Sequence, residues 1–253
     1  MEFEQPRVVT VQMLTQWSIE TGAARDEAGA ARLAYRLQDL GWLGSVRTKG
    51  AWEFIPGSRA GAVASGDRFI EFRAYFAVHP EWSGVLAMES AATVLGLAQH
   101  LPSREVVALP TGAAPKALSQ WRVVTVTIPE VGCEWRDHMP TWNLEGLIAG
   151  IAIRPSGYLD VPGLAQWLPA VGKNLRASAL AECLNGRPGS VLQRAAYLAR
   201  IAGADDVAGA VLSQRPPKHP IWFGATRSGG TYDPVVKVCD ADLAPYLDGG
   251  IGA

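Results

Sequence analysis

VVTVQMLTQWSIETGAARDEAGAARLAYRLQDLGWLGSVRTKGAWEF, residues 8–54, is the stretch that decides the fold. An apolar-periodic segment (Val11, Leu14, Trp17, Ile19) ends at Thr21-Gly22, and a second helical segment runs from about Arg25 to Leu40. Gly41-Trp42-Leu43 follows at once, then a strand-like Gly44–Arg47, a turn at Lys49-Gly50, and Ala51–Phe54. Helix, turn, helix and a short hairpin is the order of a winged helix-turn-helix, a module that lays one helix in the major groove of duplex DNA.

In the second helix Leu33, Leu37 and Leu40 recur at i, i+4, i+7 and predict the buried stripe. At ~100° per residue, Arg25, Arg32 and Arg36 share one narrow flank beside it, with Tyr35 and Ala28 next to them. Arg47 and Lys49 belong to the wing. The candidate DNA-binding residues are therefore Arg25, Arg32, Tyr35, Arg36, Arg47 and Lys49. Arginine can grip guanine O6 and N7 with two parallel hydrogen bonds, and all five cations can meet phosphates. The alternative is that Arg32 and Arg36 are ordinary solvated residues paired with Asp39 or Glu27. Residues 1–60 carry seven cations and seven carboxylates, so affinity for a polyanion depends on how charge is segregated. Trp42 and Trp52 flank the hairpin and are expected to pack across it onto the helices; stacking of Trp52 on a base is the other option.

Beyond the hairpin, Ser58–Gly66 is rich in small residues and reads as a linker. The expected organisation is a winged-helix domain at 1–58, a linker at 59–66 and a C-terminal domain at 67–253. The second part predicts helices at Asp67–Val78 and Gly84–Leu97, and strands at Glu105–Leu109 and Val123–Ile128. Further helices are predicted at Leu144–Ile153, Val161–Leu168, Ala177–Leu184, Gly189–Ile201 and Asp205–Leu212. The tail returns to β character at Ile221–Phe223 and Val235–Cys239. Helices and strands come in blocks, so the fold class is α+β with a larger, mainly helical C-terminal domain.

With 253 residues, 48% hydrophobic content and a net charge of -1, the chain is an ordinary globular protein without a uniformly basic surface. The longest apolar run is too short for a bilayer, and the acidic N-terminus is not a signal peptide. The three cysteines, Cys133, Cys183 and Cys239, are widely spaced and read as core thiols in a reducing cytoplasm.

Signals for catalysis are poor, and neither a metal, a cofactor nor a catalytic residue is assigned. His79, His100, His138 and His219 are scattered and form no metal-ligand pair. Gly172-Lys173-Asn174 matches only the end of a phosphate loop, without the upstream glycine or the following Ser/Thr. Arg227-Ser-Gly-Gly-Thr231 reads either as an anion-binding nest or as a hairpin turn.

Three segments resemble the antitoxin of the AbiE type of abortive-infection toxin–antitoxin system, most of all its actinobacterial members, mycobacterial ones included. The first is Leu37-Gln-Asp-Leu-Gly41-Trp-Leu with the wing Lys49–Pro56. The second is Asp67-Arg-Phe-Ile-Glu-Phe-Arg-Ala with Glu89–Leu97 and Leu101-Pro102. The third is Arg187–Leu198. Their order and spacing carry the likeness, since each alone is dominated by apolar and small residues. The resemblance implies a non-enzymatic repressor whose winged helix binds inverted repeats in its own promoter. It also implies a larger domain that opposes a nucleotidyltransferase-like toxin, with partner-binding candidates at Arg187, Arg194 and Tyr197. A structural helix is the other reading of those three, because Leu192, Ala195, Ala196 and Leu198 look like core. A module that sequesters a partner protein without binding DNA is the alternative for the whole chain. Many members place a full helix ahead of the segment at Val11. Here few residues precede it, Pro6 among them, so either that helix is missing or the helices are shifted by one element.

Overall fold

A computed structural model describes residues 6–56 and 66–247. The elements run β1 (Val8–Thr10), α1 (Val11–Glu20), α2 (Glu27–Asp39), β2 (Leu43–Ser45), β3 (Ala51–Phe54), α3 (Ile70–Val78), β4 (Val85–Leu86), α4 (Met88–Val94), β5 (Val106–Leu109), β6 (Arg122–Thr125), β7 (Cys133–Arg136), β8 (Met139–Trp142), α5 (Leu144–Ile153), α6 (Val161–Trp167), α7 (Ala177–Cys183), α8 (Gly189–Ile201), α9 (Asp205–Gln214), β9 (Ile221–Phe223), β10 (Thr231–Asp233), β11 (Val238–Asp240) and α10 (Ala244–Leu247). They form two compact units. One takes the chain up to Ser83 plus Ala114–Ser119, and the other takes Gly84–Ala113 plus the chain from Gln120 onward.

The first unit is a winged helix-turn-helix followed by one more helix. Its antiparallel sheet has the order β1-β3-β2, so β1 completes the wing hairpin as a third strand. Ahead of α1 the described chain is thus a strand, where the resemblance led one to look for a helix. Thr10 ends that strand and caps α1, its hydroxyl accepting from the Met13 N–H at 3.3 Å. Strand periodicity then sorts the side chains. Val9 pairs with Trp52 and Leu43 with Phe54, and this face meets Leu14, Ala34 and Leu37 of the helices. Val8 and Ala51 point the other way, onto Ala74, Ile70 and Val78.

That second contact differs from the organisation expected from sequence. Helix α3 lies in the stretch assigned to the C-terminal domain, yet its apolar positions at i, i+4, i+8 (Ile70, Ala74, Val78) cover the free face of the winged-helix sheet. The proposed linker at 59–66 lies almost wholly outside the described residues.

The second unit holds a mixed five-stranded sheet of order β6-β5-β4-β8-β7, and helices dominate the rest of it. A three-stranded sheet, β10-β11-β9, follows. Its core gathers Trp142, Leu147, Ile151, Leu164, Leu180, Leu198 and Val211. The helices at 144–153 and 189–201 stand where periodicity put them. The expected helix 84–97 is instead a two-residue strand running straight into α4, with Met88 at φ 49. The expected strand 123–128 ends at Thr125, and 235–239 forms a strand only from Val238. The β7–β8 hairpin is new relative to the sequence reading; Pro140 masks β8.

Two features of this unit bear directly on its stability. A methyl added at Gly150 in α5 would collide with the six-membered ring of Trp142, whereas one at Gly209 in α9 meets nothing within 4 Å. Alanine favours a helix interior over glycine by about 1 kcal/mol, but overpacking costs about 1–3 kcal/mol. Gly209→Ala should therefore raise the thermal midpoint and Gly150→Ala lower it.

The second feature is Glu145, whose side chain is 2% exposed and bonded to Arg176 through the backbone N–H at 2.9 Å, Nε at 3.0 Å and the second guanidinium arm at 2.9 Å. Burial pushes its carboxyl pKa up, but the hydrogen bonds from Arg176 outweigh it and leave the carboxyl below its ordinary value of 4.5. A carboxylate with a depressed folded-state pKa contributes stability that is present above the ordinary value and lost as pH falls through the depressed one. Urea midpoints taken from pH 7 down through 4.5 should fall less steeply for Glu145→Gln than for the wild type.

Candidate nucleic-acid interface

Helices α1 and α2 are joined by a tight turn in which Gly22 takes φ +71 and the Ala24 N–H donates to the Ser18 carbonyl at 3.1 Å. Asp26 starts α2 by accepting from the Gly29 N–H at 2.7 Å, which suits a carboxylate at a helix N-terminus. The stripe that α2 buries is not the leucine row. Ala30 and Ala34 are 1% and 0% exposed, Leu33 and Leu37 are half-buried, and Leu40 is 60% exposed. Alanines at i and i+4 let α2 come close to its neighbours, and this turns the helix by roughly 60° from the leucine-based expectation.

The rotation sets which side chains face out. Arg32 lies about 170° round the helix from the buried stripe, with Tyr35 and Arg36 about 130° to either side. Arg25, Arg32, Tyr35 and Arg36 are all exposed, Tyr35 at 64%. Neither Asp39 nor Glu27 pairs with Arg32 or Arg36 within 4.0 Å, and among the described residues the side chains of Arg25, Arg32, Arg36, Arg47 and Lys49 enter no ion pair. Asp39 shares the outward face, so the surface is arginine-rich without being purely basic.

In the wing, residues 46–50 join β2 to β3, with Arg47 and Lys49 exposed and Thr48 buried between them. Gly50 turns the chain at φ +84, and its carbonyl accepts from the Val11 N–H at 2.9 Å. The Arg47 N–H donates to both carboxylate oxygens of Glu71, at 2.9 and 3.2 Å. Sequence reasoning missed Glu71, because only the packing of α3 brings it to the wing. Trp52 packs into the helix–sheet core as expected, while Trp42 stays 41% exposed.

The C-terminal candidates Arg187, Arg194 and Tyr197 each bond within their own unit. Tyr197 is 6% exposed and donates its hydroxyl to Asp240 Oδ2 at 2.7 Å. Arg194 is half-buried and donates to the carbonyls of Trp222 and Ala152 at 3.2 and 3.4 Å. Arg187 bonds the Thr127 carbonyl. Leu192, Ala195, Ala196 and Leu198 of α8 are buried in the core.

Possible catalytic groups are also engaged. Asp242 accepts from the Ala225 and Thr226 N–H groups at 2.7 and 3.4 Å and from the Thr226 hydroxyl, just ahead of the Arg227–Thr231 segment, where Gly229 and Gly230 take φ +71 and +80 on the way into β10. Buried Glu89 accepts from Arg122 and the Leu159 N–H, and Glu105 accepts from Ser90. Burial pushes the thiols of Cys133 and Cys183 up to about 11 and about 12, so both stay protonated and poorly nucleophilic near neutrality. Among the described residues no group of three or more His, Cys, Asp or Glu is placed to hold a metal ion, and no helix is long and apolar enough to cross a membrane.

No protein-family model and no curated protein matches the chain. Its structure is similar to the crystal structure of the RV2827C protein from Mycobacterium tuberculosis, with a TM-score of 0.77 and 28% sequence identity over 97% of this chain and 90% of that one. The likeness therefore spans both units and is one of sequence as well as fold.

Proposed function

We propose that this protein is a DNA-binding regulator, an antitoxin that represses its own operon and counteracts a nucleotidyltransferase-like toxin. The observation that carries the reading is the outward face of α2, where Arg32 and Arg36 stand exposed without a carboxylate partner among the described residues, with Arg47 and Lys49 on the adjoining wing. Unpaired guanidinium groups on a recognition helix are ready to displace counterions from phosphates or to meet base edges. The repressor and toxin-opposing roles come from the resemblance of the three segments to AbiE-type antitoxins. The similarity to a mycobacterial protein over nearly the full chain agrees with the direction of that resemblance. The larger unit is the candidate for the toxin-facing role, through surfaces other than Arg194 and Tyr197.

Duplexes tiled across the DNA upstream of its own reading frame test the proposal by gel shift. One of them should bind, with affinity falling steeply as salt rises. Arg32→Ala and Arg36→Ala should each weaken it by about 10-fold, and a lost phosphate contact should lower the salt slope by about 1. No shift at low salt, or a shift indifferent to both arginines, would overturn the reading.

Leu40 and Trp42, exposed at 60% and 41% at the end of α2, favour a second reading in which this unit docks a protein. Stoichiometric capture of the product of the adjacent reading frame, abolished by Trp42→Ala and accompanied by no DNA binding, is the outcome that would select it.

A further inference from the structure

Glu71 is half-buried on α3, outside the winged-helix block of the sequence, and its carboxylate spends two hydrogen bonds on one wing N–H. We propose that Glu71 is a positioning residue that fixes the wing: it holds the loop 46–50 in the shape that presents Arg47 and Lys49 to a duplex, and so sets the preference for the operator over other DNA. This rests on the DNA-binding reading above.

The loop is pinned at three places. Glu71 holds the Arg47 N–H, a charge-assisted contact stronger than a neutral one. The Gly50 carbonyl is held by the Val11 N–H at the first turn of α1. Val46 packs against the cluster of Val8, Ala51 and Ala74 that Ile70 and Val78 also cover, so α3 shares the apolar floor of the wing. Thr48 turns inward at 4% exposure, leaving Arg47 and Lys49 as the cations that project. The Glu71 carboxylate grips the Arg47 backbone N–H, while the exposed Arg47 guanidinium feels the carboxylate's charge without a hydrogen bond to it.

Position 71 has two opposed effects on a polyanion. Its negative charge beside the wing weakens attraction to any duplex, whereas its hydrogen bonds preorganise the wing for one duplex. Replacing the carboxylate by a carboxamide removes the charge and weakens the hold together. Specific and non-specific binding should then move apart, which a merely structural role would not produce.

The test uses the full chain as wild type, Glu71→Gln and Glu71→Asp. It measures tryptic cleavage after Arg47 and Lys49, the thermal midpoint, and affinity for the upstream duplex and for a shuffled duplex of the same composition. For Glu71→Gln, cleavage should quicken by about 3- to 10-fold with an unchanged thermal midpoint. Affinity for the upstream duplex should fall by about 3- to 10-fold, while the shuffled duplex binds as well as before or better. Glu71→Asp keeps the charge but is one methylene shorter, so it should lose upstream affinity without gaining on the shuffled duplex. Unchanged cleavage, or equal loss on both duplexes with a lowered midpoint, would overturn the clamp. A wild type that binds neither duplex would overturn the DNA reading instead, and the cleavage rates would still decide whether Glu71 holds the wing.

Discussion

Ala30 and Ala34 leave almost no surface exposed, and their close seating decides which way α2 faces. A bulkier pair would push the helix off the sheet, or roll it until another row found the core. With alanine there, Leu37 finishes the apolar contact from one side, and the polar arc that remains carries Arg32, Tyr35 and Arg36. Backbone geometry, more than any attraction among the arginines, gathers these charges on one surface. Among the described residues no carboxylate pairs with Arg32 or Arg36.

The succession of helix, turn, helix and hairpin in the first unit was legible because its signals are local. Asp26 is a capping residue, Gly22 and Gly50 stand where the backbone needs positive φ, and β3 alternates. The rotation of α2 was not legible. Alanine and leucine both count as apolar in a periodicity argument, and only the packing distance tells them apart. Helix α3 illustrates a second limit. Its pattern was read correctly as helical, but its docking partner, the far face of β1 and β3, is set by alternation in strands that were either short or unread. The candidate site followed the same division. The exposed cations could be named from sequence, whereas Glu71 could not, since a glutamate at the start of a helix ordinarily looks like a charge favourable to the helix dipole.

In the larger unit, polar groups inside the fold are committed to one another. Glu145 holds Arg176, Glu89 holds Arg122, Asp240 accepts from Tyr197 and three backbone N–H groups, and Gln193 donates to the carbonyls of His219 and Val236. Such satisfied networks fix one arrangement of core and leave little freedom for proton transfer. Tyr197 and Arg194, which the resemblance marked as partner-binding candidates, bond to Asp240 and to the carbonyls of Trp222 and Ala152.

The first unit draws on the chain twice. After Ser83 the polypeptide leaves it, then comes back for Ala114–Ser119, whose 3-10 turn at Lys116–Leu118 lies against α3 with Leu118 wholly enclosed. No single cut can therefore liberate this module intact. A fragment stopping at residue 58 would bare the apolar underside of its sheet, and one stopping at 83 would still lack the returning turn.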